Sequence, residues 1–82
     1  MQNLDPTVVI RAARGSDGLA LHRLASLDSA RIPAGDLLVA ESEGALLAAH
    51  APATGATIAD PFRHTAEVVE LLELRGSLLR AA

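Results

Sequence analysis

The chain has 82 residues and a mass of 8.5 kDa, room for one small domain and not for two. Half of the residues are apolar, but 17 of those 41 are Ala, which leaves 14 Leu, 5 Val, 3 Ile, one Met and one Phe to fill a core. The absence of Cys excludes disulfides, thiolate metal sites and cysteine nucleophiles, while a net charge of −3 with no Lys and a single aromatic ring excludes a nucleic-acid surface. A small domain with so thin a core commonly gains stability from disulfides, metals or oligomerisation, and composition leaves the last of these. No apolar run approaches the ~18 residues of a membrane span, and Met1 to Pro6 lacks the basic flank and apolar stretch of a secretory signal. The expectation is a soluble cytoplasmic protein with no membrane or nucleic-acid partner.

Residues 1–6 are polar or turn-forming and read as a flexible N-terminus to a domain that takes in the whole of 1–82. From Thr7 to Ala13 the β-branched content predicts a strand, with Val8, Ile10 and Ala12 on one face. Gly15-Ser16-Asp17-Gly18 is a turn in which Ser16 or Asp17 can accept the first amides of a following helix. Ala20, Leu21, Leu24, Ala25 and Leu27 recur at helical spacing and predict an amphipathic helix from Leu19 to about Ser29. Pro33 and Gly35 break it into a loop. Asp36 to Glu41 and Ala45 to His50 then flank Ser42-Glu43-Gly44, a hairpin signature, and the strands are apolar on both faces, so helices must cover the sheet on at least one side.

After a turn at Pro52-Ala53-Thr54-Gly55, residues Ala56 to Ala59 form a short further strand. Asp60-Pro61 has the form of an N-cap followed by proline in the first helical position. From Phe62 or Thr65 to the end, Val68, Leu71, Leu72, Leu78 and Leu79 make one apolar stripe, with Glu67, Glu70 and Glu73 early and Arg75 and Arg80 late, matching the helix dipole. Gly76 costs about 1 kcal/mol in a helix interior, so either the helix frays there or another backbone packs closely against it. The order β-α-β-β-β-α predicts an α+β fold, a small mainly antiparallel sheet with helices packed on it.

Three stretches carry a family likeness: Val9-Ile10-Arg11-Ala12-Ala13-Arg14-Gly15-Ser16-Asp17, the helix bearing Leu24-Ala25, and Leu38-Val39-Ala40-Glu41-Ser42-Glu43-Gly44-Ala45-Leu46-Leu47-Ala48-Ala49. Together they resemble the N-terminal half of the GNAT acetyltransferase superfamily over roughly residues 7–60. The resemblance implies a fourth strand running into a glycine-rich loop whose amides hold the pyrophosphate of acetyl-CoA. Here that stretch reads Asp60-Pro61-Phe62-Arg63-His64-Thr65-Ala66-Glu67-Val68. Only Arg63 fits. Ala66 and Val68 stand where the family has small glycine positions, Pro61 lacks an amide hydrogen, and Asp60 and Glu67 are anionic. The resemblance therefore implies a GNAT-like half domain, truncated and non-catalytic, with no cofactor, acting through self-association or protein binding. A sheet ending at its fourth strand leaves an open edge, and a homodimer is the expected way to cover it. The alternative is an acyl-CoA-binding acetyltransferase subunit whose cleft is completed by dimerisation, with Arg63, His64 and Thr65 beside the phosphates of acetyl-CoA.

Other chemistry is weakly signalled. His22, His50 and His64 are spaced too irregularly for a metal-ligand motif, His22 falls on the polar side of its helix, and His50 at a strand end reads as a surface residue. Asp60 and His64 are four apart and could pair as a general base, although helix capping by Asp60 is the favoured reading. No Gly-x-Ser-x-Gly turn presents a nucleophile, and a P-loop needs a Lys the chain does not have. Glu41 and Glu43 straddle the hairpin turn, where they could bind a cation weakly but more often keep the turn soluble. Phe62 is expected to plug the gap between sheet and last helix, as a core anchor whose truncation costs about 3 to 5 kcal/mol.

Overall fold

A computed structural model describes residues 8–81; the flexible N-terminus expected over 1–6, Thr7 of the expected first strand and the last residue of the expected C-terminal helix lie outside the described residues. Strand β1 (Val9–Ala12) leads through a single 3-10 turn (Gly15–Asp17) into helix α1 (Gly18–Leu27). Strands β2 (Leu38–Ser42), β3 (Ala45–His50) and β4 (Thr57–Ala59) follow, and helix α2 (Ala66–Ala81) comes last. The four strands form one antiparallel sheet in sequence order, β1-β2-β3-β4, so the architecture is the α+β arrangement expected from the pattern.

Alternation along the strands decides which helix covers which face. Val39, Ala49 and Ile58 point to one side and pack with Leu21, Leu24 and Ala25 of α1. Their neighbours Ala40, Ala48 and Ala59 point to the other side and meet Leu72, Val68 and Val69 of α2, together with Ile10 of β1. The two helices thus sit on opposite faces, and this is why β2 and β3 read as apolar throughout. Ala40, Ala48, Ala49 and Ala51 are wholly buried, so the alanine-rich composition serves close approach of helix to sheet more than bulk.

The β2–β3 hairpin turns at Glu43 and Gly44, with φ of 52° and 83°. Both values are positive, which is the type I′ geometry that matches strand twist and that glycine adopts without cost. One residue is out of step in this hairpin: Ala40 pairs with Ala48 but Glu41 pairs with Leu46, which leaves Leu47 as a bulge. The bulge returns Leu46 to the α1 side, where it packs against the core. The carbonyl of Leu47 accepts the amide of Asp60, which ties the end of β4 to the sheet.

At the outer edge of β4, the Asp28 carboxylate, just past the end of α1, accepts the Ala59 amide at 3.0 Å. The chain thereby blunts part of the edge expected to be open, using a side chain from its own first helix.

Three local expectations are corrected. Helix α2 begins at Ala66, one residue past the later of the two expected starts (Thr65) and not at Phe62; Asp60 does not cap it, because it spends its carboxylate on the Phe62 amide at 2.9 Å and its carbonyl on the Arg63 amide, closing a turn instead. Thr65 stands at the helix entrance, its carbonyl accepting the Val69 amide. Phe62, carried outward by that turn, is 79% exposed and anchors nothing. Of the expected α2 stripe, Leu72 is buried and Val68 half-buried, while Leu71, Leu78 and Leu79 lie in solvent.

Candidate functional site

The residues singled out for cofactor binding come together. Arg63, His64 and Thr65 line a cleft of about 680 Å³ with Asp28, Asp60, Pro61 and Glu67, between the end of β4 and the start of α2. A helix N-terminus faces this space, and its first amides favour an anion. The surroundings oppose one. Asp28, Asp60 and Glu67 bring three carboxylates against the single guanidinium of Arg63, Pro61 has no amide hydrogen, and the amides of Phe62 and Arg63 are already used inside the Asp60 turn. Asp60 does not engage His64, so the general-base pair is not formed; both His64 and Arg63 are exposed.

A second polar centre draws its residues from the stretches that carry the family likeness, but the pairing of Arg11 with Asp17 and Glu41 was missed in the sequence. Arg11 on β1 donates from both terminal nitrogens to Asp17, at 2.9 and 3.0 Å, and from Nε to Glu41 on β2 at 2.7 Å. Asp17 also accepts the Arg14 amide at 2.7 Å. It therefore serves the 3-10 turn that precedes α1 and makes no side-chain cap to the helix itself. These contacts hold the Asp17 carboxyl far below the usual carboxylate range, the Arg11 guanidinium acting first and the Arg14 amide second. Reciprocally, Asp17 and then Glu41 push Arg11 above its already high value. Glu41 is thus committed to an ion pair and does not form a cation site with Glu43. The available signal was register: Arg11 and Glu41 lie on the same face of adjacent strands, and Asp17 follows six residues after Arg11 at the turn.

His50 is also corrected. It is 4% exposed, with Nδ1 and the Thr57 hydroxyl 2.8 Å apart across the β3–β4 pair. The other edge of the ring lies against Gly76 of α2, where a Cβ would stand 2.6 Å from Cδ2 and Nε2. The close approach expected of another backbone is made instead by the His50 side chain, and that contact is the reason for a glycine in the helix interior. His22 is exposed as expected, and among the described residues no three His, Asp or Glu side chains are grouped to hold a metal ion.

The remaining feature is apolar. On α2, Leu71, Leu74, Leu78 and Leu79 are 48%, 57%, 61% and 59% exposed. Beside them a groove of about 370 Å³, lined by Ile10, Ala12, Leu38, Arg75, Leu78 and Leu79, runs between α2 and edge strand β1. Among the described residues no helix is long and apolar enough to cross a membrane, so this face is not part of a spanning segment. Comparison with family models, with curated proteins and with solved structures finds no match to the chain.

Proposed function

We propose that the chain is a non-catalytic, GNAT-like half domain that works by contact with another protein chain and not by chemistry on a small molecule. The observation that carries this reading is the leucine face of α2: large apolar side chains at positions 71, 74 and 78 stand in water although the same helix buries Leu72 completely. Four half-exposed leucines on one helix present roughly 400 Å² of apolar surface, within the roughly 300 to 600 Å² of the largest patch on a typical monomer, which is often functional. The cleft at the start of α2 supports the non-catalytic part, since three carboxylates around one arginine disfavour a pyrophosphate.

The competing reading, an acyl-CoA-binding acetyltransferase subunit, places the phosphates of acetyl-CoA on Arg63, His64 and Thr65. A thermal-shift titration with acetyl-CoA separates the two. A ligand at 100 times its dissociation constant adds about 2.7 kcal/mol of stability, which in a domain of this size raises Tm by about 10 °C or more. The expected result is an unchanged Tm. A saturable rise that Arg63→Ala abolishes would replace protein contact with acyl-CoA binding as the function.

A further inference from the structure

Resting on that reading, we infer that the partner of the leucine face is a second copy of this chain, paired with its α2 parallel to the first. Leu71, Leu74 and Leu78 have the 3-4 spacing of an a-d-a seam. In the same register Glu70 falls at g and Arg75 at e, and both are exposed. In a parallel pair a g residue faces the e residue five places on in the partner helix, so Glu70 of each copy meets Arg75 of the other, twice by symmetry. An antiparallel pair centred on Leu74 sets the two Arg75 side chains beside each other instead. Charge complementarity therefore selects both the occupant and its direction.

The extent of the surface agrees with a small two-fold contact. Helix α2 has 16 residues and so a length of roughly 24 Å. Leu79 and the groove over Ile10, Ala12 and Leu38 continue the apolar surface toward β1. Glu67, at the d position one heptad earlier, closes the seam at its N-terminal end by like-charge repulsion. Two copies of the roughly 400 Å² apolar face bury roughly 800 Å² of it, below the roughly 1,000 Å² of a stable interface, so the contact is a weak, reversible dimer.

Sedimentation equilibrium from about 1 μM to about 1 mM tests this on the intact chain. The wild-type protein is expected to pass from monomer to dimer across that range. Glu70→Arg, which opposes Arg75, is expected to weaken pairing about tenfold, and the double exchange Glu70→Arg with Arg75→Glu to restore it. Because the chain has no Cys, a single introduced thiol reports direction: Leu71→Cys and Leu78→Cys should each give disulfide-linked dimers on oxidation. A monomer at every concentration overturns the self-pairing. Linkage through Leu74→Cys alone, or a double exchange no better than the single one, overturns the parallel arrangement. The acetyl-CoA titration is independent of these measurements, so failure of the underlying reading is recognised separately.

Discussion

Gly76→Ala is the substitution in which two opposing effects can be weighed most closely. In an ordinary helix interior, replacing Gly by Ala gains about 1 kcal/mol through backbone entropy. Here the new methyl would stand 2.6 Å from two atoms of the His50 ring, with the Pro52 Cα at 3.5 Å behind it. The ring cannot swing aside cheaply, because it is buried and hydrogen-bonded to Thr57 across the sheet. Overpacking at such a site costs about 1 to 3 kcal/mol, and at a contact this short the upper part of that range applies. The net expectation is a loss of about 1 to 2 kcal/mol after the helical gain is subtracted. Urea denaturation of four proteins checks it: wild type, Gly76→Ala, His50→Ala and the double variant. With the ring removed, the methyl has space and only the helical gain remains, so Gly76→Ala should change sign and stabilise the His50→Ala background by up to about 1 kcal/mol. If Gly76→Ala stabilises the wild-type protein by a similar amount, the ring is not fixed against the helix and the packing argument fails.

The Arg11–Asp17 pair makes a prediction about acid. Asp17→Asn removes the charge from an acceptor of three hydrogen bonds, two from Arg11 and one from the Arg14 amide, and should cost about 1.5 to 3 kcal/mol at neutral pH. The folded-state pKa of Asp17 is depressed below its unfolded value of about 3.9, so its contribution is complete above that value and is lost as pH falls through the folded one. The stability gap between wild type and Asp17→Asn, followed by urea midpoints, should therefore hold from pH 7 to about 4 and narrow steadily below it; a gap constant into strong acid would count against the pair. Phe62→Ala, by contrast, should alter stability by no more than about 0.5 kcal/mol. That ring is 79% exposed, and calorimetry showing a multi-kilocalorie loss would restore it to the core.

The regular elements were legible because their signals are local. Alternation and β-branching mark β1 and the hairpin, three- and four-residue spacing marks α1, and Glu43-Gly44 meets the positive φ its turn demands. Errors arose where one residue could satisfy two geometries. Asp60-Pro61 has the composition of a helix start, but the Asp60 carboxylate reaches Phe62 before a helix begins, so the entrance moves to Thr65 and the only aromatic ring moves outward. His50 was misplaced for a related reason: polarity suggests the surface, while the hydroxyl of Thr57 and the missing Cβ of Gly76, 26 residues further along the chain, make an interior position tolerable. The same accounting explains the candidate binding face. Periodicity correctly marks α2 as apolar over a wide arc, but a sheet contacts only the part of a helix turned toward it. Leu72 takes that contact, and Leu71, Leu74 and Leu78, turned about a quarter to a half circle away at 100° per residue, are left in solvent. A sequence pattern reports how much apolar surface a helix owns; only the packing shows how much of it the fold has left for a partner.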